Sequence, residues 1–547
     1  MKFNVGHDVL PHEYKGTVYN HDSVGRLQFL RFAFAFVFGV FVIRTLQLGL
    51  QQSRMGIGGT QSAEIERRAD IVDRNGVVLA KSVKYGHIKL FPRKVKNKYI
   101  DSVANLIHEI APSDYSVADA LRIIQSKKDG VYIKKNATED QIKIIKEAHL
   151  KYDCFEIEEK TARRYPQRNV FAHVVGFAGK DKGLEGIENT YDKYLRENKD
   201  PLRISIDSRI QNIFHEQLSI AMEKYHAKSA MGMLMNSSTG EMIAMVQLPD
   251  FDPNNINSVP ADTRKFKLMR DNFEMGSVFK IFNTVLAFEN ELDDIEYKVN
   301  EPLMLYDKFG HPAMSKPIDD VASFKKKGFK KLKAPDIMLY SCNVGSARIA
   351  LDLPDNAQKD FFHKLNFDRA LDLQFGKTER PLIQKVWGKV EKATVGFGHG
   401  ISVTPMHLLL AVNAVTNGGI YIQPTLLKRS IGAVRGERII DSEISSKIRN
   451  IMFNIAEKTT AQKARVPGME IGGKTGTAEK RVNGVVDKHK NVTVFAGIFP
   501  VSAPQYVIIV IIDEPKATKE TAGQRTAAWN AVPTAGAILN GIMPLLF

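Results

Sequence analysis

Cysteine is scarce in this sequence, which has two thiols, Cys154 and Cys342, among 547 residues. Two thiols so far apart cannot form a disulfide framework or a four-ligand zinc site. The zinc-protease pattern HExxH, the phosphate-loop pattern GxxxxGK[ST] and a GxGxxG turn after a strand are also missing. These absences argue against zincin and P-loop chemistry. We expect neither a metal nor another cofactor.

Extremes of charge and hydropathy are missing too. Hydrophobic residues make up 44% of the chain and charged residues 25%, which is ordinary for globular proteins. The length suits roughly three or four modules. There are 77 basic and 61 acidic residues, a formal net charge of +16. Such a surplus suits an anionic neighbour, such as a membrane surface or an acidic polymer, but does not define a fold.

Long apolar runs are rare, and the one candidate for a membrane segment lies near the N-terminus. Residues 32–43 are uncharged and stand between Arg31 and Arg44. They reach about 18 Å as a helix, short of the ~30 Å hydrocarbon core, so the span must extend over residues 27–50. No small-residue cleavage site follows promptly. We predict a cytoplasmic tail over 1–26 and an uncleaved signal anchor, rather than a cleaved signal peptide or a buried helix.

The region after the anchor, residues 51–200, has the pattern of a mixed α/β module without evident catalytic residues. Asn75-Gly76 lies between two apolar runs and favours a tight hairpin. Thr138 and Gln141 resemble a capping box that opens an amphipathic helix. We call this region the stalk.

The pattern changes in residues 201–547. Apolar segments at 231–235 and 241–246 flank Thr239-Gly240 and predict a hairpin, and the β-branched run at 507–512 predicts a strand buried on both faces. Helical segments alternate with these strands. The region is therefore expected to hold a central sheet covered by helices.

Three short motifs occur in order in this second region. They are an SxxK at Ser277–Lys280, an SxN at Ser341–Asn343 and a KTGT at Lys474–Thr477. Each is weak alone, since Ser323 and Lys326 also fit SxxK by chance.

The context of the first motif separates it from the chance match. Apolar residues follow Ser277 at helical spacing, so Ser277 is expected to open a helix whose apolar stripe enters the core. Ser277 and Lys280, three residues apart, then share one face. A lysine activates a serine only when burial or a second cation makes the amine neutral. Lys474 is the candidate for that second cation.

The ordered motifs resemble those of the penicillin-binding proteins, serine acyltransferases that act on D-Ala-D-Ala peptides and β-lactams. The best fit is class B, of the septal, division-specific type. The sequence lacks the glycosyltransferase module of class A members. The similarity spans about residues 65 to 530. The further segments that carry it are residues 68–80, 164–166, 176–177, 183–188, 396–405 and 513–515.

This resemblance implies an α/β (α+β) protein. It would have one transmembrane helix, the stalk over 51–200, and a transpeptidase domain over 201–547 with a central antiparallel sheet covered by helices. The implied location is the bacterial inner membrane, with the catalytic domain in the periplasm. The implied function is cross-linking of peptidoglycan stem peptides during division, inhibited by β-lactams. The implied partners are a SEDS-type glycosyltransferase and other division proteins, and no nucleic acid.

The resemblance also implies residue roles. Ser277 is the nucleophile, Lys280 its base, Ser341 a proton relay, and Asn343 a ligand of the acyl-chain amide. Lys474 binds the substrate carboxylate together with Thr475 and Thr477. Backbone N–H groups of Ser277 and Thr477 form the oxyanion hole, and Gly476 keeps the edge strand clear for the substrate backbone.

The sequence departs from the family pattern at three positions, and several functions stay open. Met275 and Val278 replace the usual proline and threonine, and Cys342 stands where serine or aspartate is usual. We expect Cys342 to be a packed residue and not a nucleophile. The alternative functions are an elongation-type transpeptidase, a D,D-carboxypeptidase or β-lactamase, and a β-lactam-binding sensor. The basic run from Lys325 to Lys333 is expected to be a solvated loop, with a contact to an acidic polymer or lipid as the alternative.

Overall fold

The computed structural model describes residues 67–430, 432, 434–482 and 485–547. The predicted tail, residues 1–26, and the predicted anchor, residues 27–50, lie outside them. Within the described ranges, no helix combines the length and the apolar character that crossing a membrane requires.

The first of two five-stranded sheets takes four strands from the stalk and its fifth from the two residues at 202–203, just after the stalk. Its strands are β1 (Ile71–Val72), β2 (Val78–Leu90), β3 (Val131–Ala137), β4 (Phe155–Arg164) and β5 (Leu202–Arg203). The long strand β2 pairs with β1, β3 and β4, all antiparallel, and β5 pairs with β1 in parallel. The predicted hairpin at Asn75-Gly76 is confirmed, because it joins β1 to β2 with Gly76 at a φ of +92°.

Three helices accompany this sheet, namely α1 (Ile100–Ile110), α2 (Val117–Gln125) and α3 (Glu139–Tyr152). The predicted capping box is confirmed at the start of α3. The Gln141 N–H donates to Thr138 Oγ1 at 3.3 Å, and the Thr138 N–H donates to Gln141 Oε1 at 2.9 Å.

The second sheet is the centre of residues 201–547, the region expected to hold the active site and called the catalytic region from here on. Its strands are β6 (Ser229–Asn236), β7 (Met242–Leu248), β8 (Gly472–Val482), β9 (Val485–Phe499) and β10 (Tyr506–Asp513). They lie in the order β8-β9-β10-β6-β7, and every neighbouring pair is antiparallel. The predicted β6–β7 hairpin and the central antiparallel sheet are confirmed. Strand β8, which carries the KTGT motif, lies at one edge.

Both faces of this sheet are covered. The side chains of β10 alternate between the two faces, and yet the successive residues from Val507 to Asp513 are all buried. The mixed α/β fold is thereby confirmed. The helices of eight or more residues are α4 (Ser208–Lys224), α5 (Lys280–Glu289), α6 (Asn343–Asp352), α7 (Ala357–Lys364), α8 (Pro405–Thr416), α9 (Ser442–Lys458) and α10 (Ala531–Leu546).

The base of the stalk shares its hydrophobic core with the catalytic sheet. Stalk residues such as Ile71, Phe171 and Leu195 belong to the same buried cluster as β6 and β10. A second, separate cluster, which includes Ile88 and Phe155, packs α1, α2 and α3 on the far part of the stalk sheet.

A buried ion cluster lies in the base of the stalk. Arg68 Nε donates to Glu188 Oε2 at 2.8 Å, and Arg163 Nε donates to Glu188 Oε1 at 2.6 Å. All three side chains are buried, and Arg68 also pairs with Asp192 at 2.6 Å. The two positive charges therefore face two carboxylates within the protein. The cluster joins residues from both ends of the stalk sequence.

Candidate active site

The first motif lies on a short 3-10 helix, Gly276–Phe279, which leads directly into α5. The helix was expected to begin at Ser277, but the regular α-helix begins at Lys280. A 3-10 turn has three residues per turn, which places residues i and i+3 above one another. Lys280 Nζ accordingly donates to Ser277 Oγ at 2.7 Å.

Close contacts between backbone segments hold this turn in place, because the residues at the contacts are glycines. Gly276 has a φ of +52°, and a Cβ there would lie 2.6 Å from the carbonyl oxygen of Thr477. A Cβ on Gly398 would lie 2.0 Å from the carbonyl oxygen of Gly276, and one on Gly476 would lie 2.1 Å from that of Met275. The turn that carries Ser277, the predicted nucleophile, is thus fixed between two other segments at distances that only glycine permits.

The second motif is a turn that brings Ser341 and Asn343 to the same lysine. Ser341 has a φ of +60°, and α6 begins at Asn343. Lys280 Nζ donates to Asn343 Oδ1 at 2.7 Å and to Ser341 Oγ at 3.3 Å. The carbonyl oxygen of Ser341 accepts from the same amine at 3.0 Å.

The third motif brings a second lysine to Ser341. Lys474 lies on edge strand β8 and donates to Ser341 Oγ at 3.0 Å and to the carbonyl oxygen of Thr475 at 3.1 Å. Lys280 and Lys474, from distant parts of the sequence, therefore share one hydroxyl.

Burial makes both amines weak bases. Lys280 is fully buried and Lys474 is 1% exposed. Burial lowers the pKa of Lys280 to about 8, against the opposing attraction of the Asp320 carboxylate. Burial, together with the charge of Lys280, also lowers the pKa of Lys474. A neutral amine beside Ser277 is therefore accessible near physiological pH.

The polar groups around the two buried amines remain accessible to a ligand. Ser277, Ser341, Asn343, Thr475 and Thr477 are all partly exposed. Thr477 Oγ1 accepts a hydrogen bond from the Ala527 N–H at 3.1 Å, which leaves its own proton free to donate.

Comparisons with known proteins agree with this geometry. Residues 230–534 match the family profile of the penicillin binding protein transpeptidase domain, and residues 65–220 match that of the penicillin-binding protein dimerisation domain. The first match alone covers more than half of the 547 residues.

The chain belongs to the penicillin-binding protein family. It is 28% identical to a probable peptidoglycan D,D-transpeptidase FtsI of Caulobacter vibrioides, over 90% of this chain and 84% of that protein. It is 29% identical to the peptidoglycan D,D-transpeptidase FtsI of Escherichia coli K12, over 87% of this chain and 83% of that protein. The resemblance to septal class B members drawn from the sequence is confirmed.

A solved structure shares the fold of this penicillin-binding protein. Penicillin binding protein 2X of Streptococcus thermophilus superposes with a TM-score of 0.74 at 18% identity, covering 88% of this chain and 80% of that one.

The structure of this penicillin-binding protein brings together all the residues that the three motifs singled out, and their roles remain predictions. The chance match does not join them, because Ser323 and Lys326 are both exposed. The packing predicted for Cys342 is confirmed, since its side chain is buried and burial raises the pKa of its thiol.

The reason given for Gly476 was incomplete. Its missing Cβ makes room for the backbone of Met275 behind Ser277, whereas clearance for a substrate stays a prediction. The sequence pattern missed this because the contact joins segments about 200 residues apart.

Sequence reasoning also missed Asp320. This carboxylate is buried and accepts hydrogen bonds from the N–H groups of Asn343 and Val344. No spacing rule connects it to the SxN motif, which lies more than 20 residues further along the chain. The only available signal was the need of a helix that begins at Asn343 for a capping group.

The lysines of the run from Lys325 to Lys333 are exposed, as expected. The run is not wholly a loop, however, because Lys331–Leu332 form a short strand and Leu332 is buried. Lys325, Lys331 and Lys333 form ion pairs with Asp319, Glu296 and Asp294, respectively.

Proposed function

We propose that this penicillin-binding protein is a peptidoglycan D,D-transpeptidase that cross-links stem peptides during cell division and is inhibited by β-lactams. The observation that carries the proposal is the buried amine of Lys280, 2.7 Å from Ser277 Oγ, beside a second buried amine at Ser341. This arrangement activates a serine without a histidine. The names of the FtsI relatives support the peptidoglycan substrate and the division role.

The first step is acylation of Ser277. The neutral Lys280 amine takes the hydroxyl proton as Ser277 Oγ attacks the carbonyl of the penultimate D-Ala. Backbone N–H groups of Ser277 and Thr477 stabilise the oxyanion, a contribution of about 3–4 kcal/mol per donor in other acyltransferases. Ser341, within reach of both lysines, relays a proton to the leaving amine of the terminal D-Ala.

The second step is transfer of the acyl group to an amine. The amino group of a neighbouring stem peptide attacks the Ser277 ester, the C–O bond breaks, and the hydroxyl regains its proton. A new amide bond then joins the two peptides. Asn343 holds the acyl-chain amide during this exchange.

Lys474 provides the charge that selects the donor peptide. A terminal carboxylate beside Lys474, Thr475 and Thr477 favours the protonated form of Lys474. That positive charge in turn favours the neutral form of nearby Lys280. Binding of the donor therefore prepares the base.

The cellular setting is proposed from the sequence. Residues 27–50 would anchor the protein in the inner membrane, with the catalytic region in the periplasm. The stalk and the anchor would contact a SEDS-type glycosyltransferase and other division proteins. The test is the location of a fluorescent fusion in dividing cells. Accumulation at the division septum would support this setting, and a location along the lateral wall would support the elongation-type alternative.

The experiment for the active site is covalent labelling by a fluorescent penicillin. The unmodified protein is expected to form a stable adduct, Ser277→Ala none, and the chance-match control Ser323→Ala an undiminished one. An adduct retained in Ser277→Ala refutes the assignment. Release of product by water alone, with an acceptor amine present, supports the carboxypeptidase alternative instead.

A further inference from the structure

A cavity of about 550 Å³ lies between α7 and residues 380–387. Its size is within the range of about 300–1,000 Å³ that is usual for ligand sites. The mechanism proposed above uses none of its lining residues. The residues that give it its chemistry are Lys359, Phe362, Arg380, Ile383, Lys385 and Trp387.

Aromatic rings form the apolar part of the lining. The rings of Trp387 and Phe362 meet edge to face with their centroids 6.1 Å apart, and Trp387 Nε1 donates to Gln358 Oε1 at 3.1 Å. Phe362 packs in the same way on Phe279, again at 6.1 Å, and Phe279 belongs to the turn of Ser277. An apolar side chain in the cavity would therefore contact a ring that itself packs against this turn.

The charged groups of the lining leave an excess of positive charge. Three exposed cations form no ion pair with a carboxylate of the described residues, namely Lys359, Arg380 and Lys385. Of the lining carboxylates, Asp368 is already paired with His363 and with Arg369, which leaves Asp360 alone to oppose the three cations. The cavity is therefore complementary to a ligand that carries carboxylates.

One wall of the cavity offers backbone groups as well as side chains. Leu382–Ile383 pairs with Ile401–Ser402 in a two-stranded sheet, so the other edge of this short strand has no strand partner among the described residues. The N–H groups of Gln384, Lys385 and Val386 donate no hydrogen bond to a described residue, and Val386 is 73% exposed. Extended peptides bind to such open edges by adding a strand.

We propose that this cavity is a docking site for an acidic segment of a partner protein. The segment binds in extended form along residues 382–386, with an apolar side chain against Phe362 and Trp387 and its carboxylates at the three unpaired cations. The wall of backbone donors favours a peptide, the positive charges favour an acidic one, and the aromatic rings favour an apolar side chain within it. A polyanion without apolar side chains would satisfy the charges alone.

The test measures binding to the full chain by fluorescence anisotropy with three labelled probes. The first is a pool of nonapeptides with a central Leu-Phe pair, Asp and Glu on both sides of it, and random residues elsewhere. The second pool has Asn and Gln in place of Asp and Glu, and the third probe is polyglutamate. We expect the acidic pool to bind at least about tenfold more tightly than either of the others. Equal binding of the amide pool or of polyglutamate, or no binding of the acidic pool, overturns the proposal.

Paired charge reversals test where the acidic pool binds. Lys359→Glu combined with Lys385→Glu is expected to weaken its binding about tenfold or more, because like charges then face each other. The matched control is Lys180→Glu combined with Lys199→Glu, at two exposed lysines outside the cavity lining, and it should bind as the unmodified protein does. An undiminished affinity in the first double variant, or equal losses in both, contradicts the docking site.

Trp387 reports whether the ligand reaches the apolar part of the lining. The chain has two tryptophans, so Trp529→Phe leaves Trp387 as the only one. Binding of the acidic pool is expected to shift its emission to shorter wavelength, because a seated apolar side chain removes water from the ring. Trp387→Ala is expected to weaken binding about 10- to 100-fold, as for other aromatic anchors. Binding that leaves the Trp387 emission unchanged overturns the proposal, even if Trp387→Ala does not fold.

Discussion

At the scale of single residues, the proposed chemistry depends on which of two buried amines is neutral. Lys280 and Lys474 share Ser341 Oγ, so protonation of one disfavours protonation of the other. A donor carboxylate near Lys474 would shift the proton towards that amine. In the proposed mechanism, Lys280 is then left as the base for Ser277.

We predict that the acylation rate rises with pH and levels off, with an apparent pKa of about 8, because only the neutral form of Lys280 accepts the hydroxyl proton. Lys280→Ala should lower the rate by about 100- to 10,000-fold and remove this limb. The control is Lys326→Ala, the exposed lysine of the chance SxxK match. Measured profiles in which Lys280→Ala keeps the limb would exclude Lys280 as the base.

The glycine contact behind Ser277 gives a second prediction at this scale. A Cβ on Gly398 would lie 2.0 Å from a backbone oxygen of Gly276, so Gly398→Ala must displace the nucleophile turn. We expect a more than tenfold loss of labelling rate, as for other misplaced catalytic groups. Gly468 has a similar φ of +80° with nothing within 4 Å. Gly468→Ala therefore carries only the conformational cost, about 1–2 kcal/mol, and should label normally.

At the scale of elements, one carboxylate joins the stalk hairpin to the first helix of the catalytic region. Asp73 Oδ1 accepts from the N–H groups of Asn75 and Val77 within the hairpin. Its Oδ2 accepts from the N–H and the hydroxyl of Ser208 at the start of α4. The hairpin and the helix are thus fixed by the same side chain.

We predict that Asp73→Ala lowers the free energy of unfolding by about 1–3 kcal/mol, since it leaves buried donors unpaired. Burial disfavours the charged carboxylate, but hydrogen bonds outweigh this effect and lower the pKa of Asp73. The stabilisation is therefore present above the ordinary carboxyl pKa and is lost as the pH falls through the lowered value. Denaturant unfolding at neutral and acidic pH checks this. Asp181→Ala, at an exposed turn, should change little, and equal losses in both variants contradict the prediction.

At the scale of the whole molecule, the stalk has two parts with separate cores. Its base is continuous with the core of the catalytic sheet. The far part, which we call the head, comprises residues 86–159 and has its own core. Tyr85 and Lys160, which flank the head, are register partners on β2 and β4.

We predict that the head can be replaced by an Asn-Gly turn that joins Tyr85 to Lys160, because these residues already face each other across an antiparallel pair. Penicillin labelling should stay within about twofold of the unmodified protein. Removal of all residues from 67 to 200 should leave no soluble protein that penicillin can label, since it exposes the shared core to water. The contrary result, loss of labelling with the head alone removed, would show that the head supports the active site.

The sequence by itself determined the local features of this protein. Hydropathy period, turn residues and capping residues act between near neighbours, and they predicted the hairpin at Asn75-Gly76, helix α3 and strand β10. The three motifs identified the family because their residue types and their order can be read directly from the sequence. Ser277 and Lys280 are in contact as expected, since they lie three positions apart on one helical segment.

Only the tertiary structure decided what depends on contacts between distant segments. Asp320, the glycine backbone contact at Gly398 and the shared hydroxyl of Ser341 join parts of the chain that carry no common local pattern. The burial that lowers the pKa of both lysines arises from surrounding side chains, and no spacing rule in the sequence predicts it. For the same reason, the core that the stalk base shares with the catalytic sheet became visible only in the folded chain.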